Sequence, residues 1–278
     1  MDVATSRGAL WGLRLFFISA AVFLYAPLLV LALFSFNDGT TVAFPLEGFT
    51  TRWYEGFLSD QLLIRSLRAS LIVAASSSVI AVGLGVAVSY VLGRRRFRGK
   101  AVLSALVISP LVIPYLVFGI SLLVLFTTVD KVLKETLGMY IGLGLHAVVV
   151  GHVVVSLPYT VLTILPRLER LDVSIEEAAR DLGATGSQTF RRVSLPLLRP
   201  AILSAFLIAF TLSFDEYAIA SFLVESESTW PVFLFSQLRR EQLLPQLIAV
   251  SVLVLTASLL LVMATEIFRV RAERRLEA

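Results

Sequence analysis

Hydrophobic positions in this chain of 278 residues come in long blocks, separated by polar segments rich in charged residues. A helix rises about 1.5 Å per residue, so about 20 apolar residues cross the roughly 30 Å hydrocarbon core of a bilayer. The pattern therefore predicts an all-α polytopic membrane protein, with a single transmembrane domain over residues 1–278. The six predicted transmembrane helices are residues 15–36, 69–92, 101–127, 139–165, 201–224 and 243–267.

Composition supports this fold class and excludes several kinds of chemistry. The chain is 57% hydrophobic, with a mean hydropathy of +0.86, which is far more apolar than a soluble domain of this length. The absence of cysteine excludes disulfides, thiol catalysis and cysteine-ligated zinc. The sequence pI of 9.6 does not indicate nucleic-acid binding, because the basic residues cluster between the apolar blocks.

The distribution of basic residues predicts the orientation of the chain in the membrane. If the N-terminus is cytoplasmic, the inner segments contain 17 of the 24 Lys and Arg residues and the outer segments contain seven. Basic residues in short loops favour the cytoplasmic side. We therefore expect both termini in the cytoplasm, and we interpret the first apolar block as an uncleaved span rather than a signal peptide.

The predicted cytoplasmic segment 166–200 is more structured than an ordinary connection. Ser174 and Glu177 have the spacing of a capping box, and Gly183 suits the left-handed position that ends a helix. A second short helix is expected over 187–193. A capped surface loop would explain these features without a function, whereas a docking site for a cytoplasmic protein also explains the length of the segment.

The same segment resembles the EAA loop of ABC-importer permeases. Glu177-Ala178-Ala179, three residues, Gly183, nine residues and Val193-Ser194-Leu195-Pro196 follow that pattern, with Val193 where isoleucine is usual. The resemblance implies a type I ABC-importer permease fold with a coupling loop that contacts an ATP-binding subunit. The implied coupling residues are Glu177, Ala178, Ala179 and Gly183, flanked by Glu176, Arg180 and Asp181.

Two adjacent carboxylates, Asp215 and Glu216, lie in the fifth apolar block, where charge is costly. Three interpretations remain open: they end the span at the outer water, they pair with a basic residue of a neighbouring subunit, or they line a cation pathway. Adjacent helical positions point about 100° apart. We expect one carboxylate in the pathway and the other near its wall, with Phe214 and Tyr217 as candidate apolar or cation–π surface.

The region around these carboxylates resembles permeases of the spermidine/putrescine type, most closely the second permease subunit of the pair. The resemblance depends on Ser213-Phe214-Asp215-Glu216-Tyr217, Ala220-Ser221-Phe222-Leu223 and Trp230-Pro231-Val232. It implies a homologous second permease, two ATP-binding subunits and a periplasmic or extracellular substrate-binding protein as partners. It also implies a bacterial or archaeal cytoplasmic membrane, with lipid around the chain.

The chain is not predicted to be an enzyme. It contains no GxxxxGK[ST] phosphate-binding loop, so ATP and Mg are expected on the partner ATPase subunits, with no cofactor or metal in this chain. His146 and His152 are expected to be packed or hydrogen-bonded rather than metal-bound. Pro110 and Pro114 should break or bend the third span.

Two alternative functions remain at the level of sequence. A proton- or sodium-coupled secondary transporter would use the acidic pair as an ion site, but it leaves the structured cytoplasmic segment unexplained. An ABC importer for another small solute, such as an opine or an amino acid, would keep that segment and change the substrate.

Overall fold

The computed structural model describes the backbone of residues 7–277 and the side chains of residues 10–263, except residues 58, 241 and 261. The described backbone is helical, with one isolated β-bridge between Asn37 and Phe49. The helices are α1 (Arg7–Phe34), α2 (Arg52–Ser59), α3 (Gln61–Arg94), α4 (Lys100–Ile108), α5 (Tyr115–Leu137), α6 (Leu145–Arg170), α7 (Val173–Asp181), α8 (Gly186–Thr189), α9 (Leu195–Phe214), α10 (Ala220–Leu223), α11 (Trp230–Gln237) and α12 (Leu244–Glu277).

Within the part of the chain that the structure describes, five helical stretches are long and apolar enough to cross a membrane, which agrees with the predicted fold class. The sixth predicted span lies in α12, whose described side chains include the apolar stretch Leu244–Leu260. The five are Leu10–Phe34, Gln61–Arg94, Tyr115–Leu137, Leu145–Arg170 and Gly186–Phe214.

The third predicted span, 101–127, is wrong as a single helix. Between α4 and α5 the chain forms the 3-10 turn Ser109–Leu111 and a short non-helical connection, and the helix of membrane length is α5. Pro110 and Pro114 lie in this interruption, which confirms the predicted break. Proline has no backbone N–H to continue the helical hydrogen bonds, and the residue before it disfavours the helical conformation.

The chain separates into two compact units, of which the larger consists of Gln61–Ser236 and the end of α12. In this unit α3, α6 and α9 pack against one another. Small side chains allow the close packing of α3 on α6, because a Cβ added to Gly85 would lie only 2.2 Å from the hydroxyl oxygen of Thr160. That hydroxyl donates to the Ala81 carbonyl of α3 at 3.2 Å, as expected where membrane helices meet.

The smaller unit consists of residues up to Asp60 together with Gln237–Ala257. Three aromatic side chains of α1, Phe16, Phe17 and Phe23, are each more than 70% exposed, as suits a helix in lipid. The loop after α1 is closed by the Trp53 indole N–H, which donates to the Asn37 carbonyl at 2.8 Å.

Candidate functional site

The segment predicted to couple to an ATPase begins with α7, but its cap differs from the prediction. The capping box at Ser174 and Glu177 is wrong. Asp172 is the N-cap, and its carboxylate accepts from the backbone N–H of Ser174 at 2.9 Å. This hydrogen bond favours the ionised form and lowers the pKa of the exposed Asp172 carboxyl. Helix α7 therefore starts two residues earlier than predicted, with a negative charge at its N-terminus.

Helix α7 ends as predicted, with Gly183 in the left-handed conformation. Gly183 has φ +89°, in the left-handed region, and its N–H donates to the Arg180 carbonyl at 2.8 Å. The next N–H, of Ala184, reaches the Ala179 carbonyl at 3.0 Å. These two bonds form a Schellman motif, which satisfies the last carbonyls of the helix and turns the chain sharply.

Most of the predicted coupling residues lie on an exposed surface. Glu177, Ala178, Arg180, Asp181 and Gly183 are exposed and Ala179 is half-buried. Sequence reasoning missed Leu182 in this set, although its side chain is 90% exposed. The only signal in the sequence was a leucine between an aspartate and a glycine in a charged loop. An apolar side chain so exposed at a helix end suits contact with another protein.

Glu176 differs from the rest of the predicted set because it is only 3% exposed. Its Oε1 accepts from Arg94 Nε at 3.1 Å and from the Ser194 hydroxyl at 2.9 Å. Arg94 also donates to the Leu171 carbonyl, at 3.2 Å. A single buried carboxylate thus connects α7 to the end of α3 and to the chain just before α9.

The second short helix is not a separate element. It begins at Gly186 and continues without a break through a π-helical turn, Phe190–Ser194, into α9. Thr185 and Gln188 form the capping box at its start. The π turn precedes Pro196, which has no backbone N–H to donate a helical hydrogen bond. The hydrogen bonds of the preceding turn therefore shift to the wider π spacing. The resulting helix, Gly186–Phe214, has 29 residues.

The acidic pair lies at the other end of this helix, and not inside a continuous span as predicted. Helix α9 ends at Phe214, the chain turns through Asp215 and Glu216, and helix resumes briefly in α10. Asp215 is exposed, whereas Glu216 is buried at 7% exposure. The two carboxylates therefore point into different environments, and the turn after α9 separates them rather than the 100° step of a continuous helix.

The buried Glu216 carboxylate stabilises the chain between α9 and α10. Its carboxylate accepts from the backbone N–H groups of Ile219 and Ala220, at 2.8 and 3.0 Å, and so caps the start of α10. His152 Nε2 lies 3.1 Å from the same carboxylate. The buried acid of the pair is thus bonded within this chain.

His152 continues this network into α9 and α3. Its Nδ1 lies 2.7 Å from the Ser213 hydroxyl, and Ser77 of α3 donates to that hydroxyl at 2.8 Å. A neutral ring protonated at Nε2 satisfies every contact, because Nε2–H then donates to Glu216 and Nδ1 accepts from Ser213. The predicted hydrogen-bonded role of His152 is confirmed, and that of His146 also, since its Nε2 lies 3.1 Å from the Gly142 carbonyl.

The chain between Glu216 and α10 packs so closely that one neighbouring position needs glycine. A Cβ added to Gly151 of α6 would lie 2.7 Å from the Ile219 side chain. Ile219 itself is fully buried in a core cluster with Leu122 and Leu223. This packing and the Glu216 network together fix the turn that presents Asp215.

The two aromatic residues of the predicted site have separate surroundings. Phe214 is buried and stacks on Phe210, with ring centroids 6.2 Å apart. Tyr217 is half-buried and contacts Phe235, with a centroid distance of 4.7 Å. Phe214 thus belongs to helix packing, and Tyr217 is the aromatic residue of the two that lies nearer an open surface.

Comparison with protein families places this geometry in context. The model of the family described as "Binding-protein-dependent transport system inner membrane component" matches residues 82–278. The chain is 39% identical over 237 residues to the putrescine transport system permease protein PotI of Escherichia coli (strain K12), covering 84% of this chain and 82% of that protein. It is 32% identical over 246 residues to the spermidine/putrescine transport system permease protein PotC of the same strain, covering 88% and 89%.

Solved structures share the fold at low sequence identity. A bacterial alginate ABC transporter in complex with an alginate pentasaccharide-bound periplasmic protein has a TM-score of 0.73 at 15% identity, covering 96% of this chain and 94% of that chain. An amino acid ABC transporter with histidines has a TM-score of 0.56 at 22% identity, covering 80% and 100%. At these identities the likeness establishes the fold alone.

Proposed function

Because this chain belongs to the family of binding-protein-dependent inner membrane components of ABC importers, we propose that it forms one half of a membrane pathway for putrescine, spermidine or a related linear amine. Membership of this family decides against an ion-coupled secondary transporter. The substrate class is supported by the two relatives, whose names specify putrescine and spermidine/putrescine transport. The observation that carries the proposal is the exposed Asp215 carboxylate at a fixed helix break.

Asp215 is the carboxylate suited to a cationic substrate. Glu216 already accepts from two backbone N–H groups and contacts His152, so its charge is occupied within the chain. Asp215 is exposed and forms no salt bridge within the described residues. An ammonium group passing the break would contact Asp215, with the Tyr217 ring beside it as cation–π surface. Glu216 acts as a positioning residue for this turn.

The exposed surface at the end of α7 is the proposed contact for the ATP-binding subunit. It includes the predicted residues Glu177, Ala178 and Gly183, and adds Leu182. Partners of this permease are then a homologous second permease, two ATP-binding subunits that bind ATP and Mg, and a periplasmic or extracellular substrate-binding protein. In this arrangement both termini and α7 face the cytoplasm, as the excess of basic residues favours.

The connection between the two sites suggests how nucleotide-driven movement is transmitted. A displacement of α7 is transmitted through Glu176 to Arg94 of α3 and to Ser194, in the π turn of the helix that ends at Phe214. Rigid-body movement of these helices alters access to the Asp215 turn without changes within each helix. The chemistry of ATP hydrolysis belongs to the partner subunits, and this chain supplies the pathway and the mechanical connection.

The proposal is tested with the reconstituted transporter, including its binding protein and ATPase subunits. Putrescine or spermidine should stimulate ATP hydrolysis, and amino acids should not. Asp215→Asn should reduce polyamine uptake about tenfold, the loss expected for about 1.4 kcal/mol of a charge-assisted contact. Stimulation by a neutral or anionic ligand alone would exclude polyamines, whereas normal uptake by Asp215→Asn would exclude only the role of this carboxylate.

A further inference from the structure

A cavity of about 590 Å³ lies beside the end of α3, and the proposed transport mechanism assigns no ligand to it. One wall is a single face of α3, formed by positions three or four residues apart, among them Gly83, Val86 and Tyr90. Another part of the wall includes Phe190, whose ring centroid lies 5.0 Å from that of Tyr90. From Gly83 to the end of α3 this apolar wall extends about 16 Å along the helix.

The end of the cavity is basic. Arg94, Arg95 and Arg180 all line it. Among the residues whose side chains are described, only the carboxylate of Glu176 contacts these guanidinium groups, with Arg94 at 3.1 Å and Arg180 at 3.7 Å. Arg95 forms no salt bridge within the described part of the chain. Three positive charges therefore face one buried negative charge, and a ligand with an anionic group would reduce the remaining excess of two.

We propose that this cavity binds an anionic phospholipid, with its phosphate against Arg95 and Arg180 and an acyl chain along the apolar face of α3. A lipid combines both required properties, because it has a long apolar part that ends in a phosphate at the membrane surface. A soluble anion would use the arginines and leave the apolar wall in water. A helix of another subunit would cover the apolar wall but has no general reason to end in an anion. Basic pockets at the ends of membrane helices bind phospholipid head groups by this combination.

The test measures lipid retained by the purified full-length chain with native mass spectrometry, after extraction from vesicles of equal parts phosphatidylglycerol and phosphatidylcholine. Phosphatidylglycerol should be retained in preference to phosphatidylcholine. Arg95→Gln combined with Arg180→Gln should weaken this binding roughly 30-fold, about fivefold for each charge near the phosphate. Arg95→Lys with Arg180→Lys should keep most of the binding, because a cation remains at both positions.

The matched control is Arg96→Gln combined with Arg98→Gln, which removes two nearby charges that do not line the cavity. Equal loss in both double variants would mean a general attraction of the basic segment to the membrane and would overturn the proposed site. Displacement of the lipid by millimolar inorganic phosphate would indicate a site for soluble phosphate instead. Loss of the lipid when the second permease assembles with the chain would identify the cavity as a subunit interface, and this too would overturn the proposal.

Discussion

Two pairs of adjacent carboxylates, Glu176-Glu177 and Asp215-Glu216, are divided in the same way although they lie at opposite ends of the larger unit. In each pair one member is buried and bonded to several elements, and the other is exposed. The partners of the buried members differ. Glu176 faces the guanidinium of Arg94, whereas Glu216 faces a histidine and two backbone N–H groups.

The comparison shows why an acidic residue in a functional motif need not contact the partner or substrate. In α7 adjacent positions diverge by about 100°, and after α9 a turn directs the two side chains apart, so each pair places one charge in the protein and one on its surface. The buried member gives the surrounding backbone its shape, and the exposed member is then free for a ligand. Stability and transport measurements on single variants should separate the two roles.

Glu176→Ala should produce the largest loss of stability. The substitution removes the carboxylate that pairs with the Arg94 guanidinium, and the Arg94 side chain is only 8% exposed. We expect the free energy of unfolding to fall by about 3–5 kcal/mol, the range for a broken buried ion pair. Denaturant unfolding in detergent measures this, and Glu177→Ala is the control, with a change within about 0.5 kcal/mol. Equal losses in the two variants would contradict the division of the pair.

Glu216→Gln should be less destabilising, because the amide retains one oxygen and the partner ring can be neutral. One carbonyl oxygen cannot replace a carboxylate that serves Ile219, Ala220 and His152. We expect a loss of about 1–3 kcal/mol, the cost of a buried group left without a partner. Hydrogen exchange of the Ile219 and Ala220 amides should accelerate. Asp215→Asn should leave this exchange unchanged, and accelerated exchange there would show that Asp215 also supports the turn.

Gly183→Ala tests whether the exposed surface after α7 depends on its turn. Alanine at φ +89° should cost about 1–2 kcal/mol, and a Cβ there would meet no atom within 4 Å, so the effect is one of backbone conformation alone. Gly186→Ala is the matched control, because it too meets no atom within 4 Å and lies in helix. Hydrogen exchange of the α7 C-terminus measures the difference. If both variants behave alike, the left-handed turn does not set this surface.

The smallest expected effect is the change in the stability of α7 at acidic pH. The pKa of Asp172 is lowered in the folded protein, so its contribution to α7 is present above the unfolded pKa, about 3.9, and is lost as pH falls through the lower folded value. Hydrogen exchange at the start of α7 should therefore increase modestly below about pH 4. Asp172→Asn should abolish this pH dependence, and an unchanged profile in that variant would assign it to another group.

Sequence patterns predicted the parts of the site that depend on local chemistry. Gly183 ends its helix because only glycine adopts φ +89° readily, and the prolines of the third span interrupt it because they lack a donor. The capping box was misplaced because Asp172, two residues earlier, competes for the same N–H group. Local spacing alone does not rank two such caps.

The partners of the buried carboxylates could not be predicted in this way. Arg94 and Glu176 are 82 positions apart, and His152 and Glu216 are 64 positions apart. Their contacts depend on how α3, α6 and α9 pack. The end of α9 at Phe214 was also missed, because the residues around Asp215 and Glu216 remain apolar enough to resemble one continuous span.

The uninterrupted helix Gly186–Phe214 has a mechanical consequence. Its 29 residues give a rod about 42 Å long, so a tilt of about 5° at one end displaces the other by almost 4 Å. That displacement exceeds the length of a hydrogen bond, and it would be enough to bring Asp215 into or out of reach of an ammonium group. If the π turn at Phe190–Ser194 bends, the effective lever shortens to α9, about 29 Å, and the same tilt yields only about two-thirds of the movement. The stiffness of this π turn therefore determines how far the Asp215 end of the helix moves when its Gly186 end is tilted.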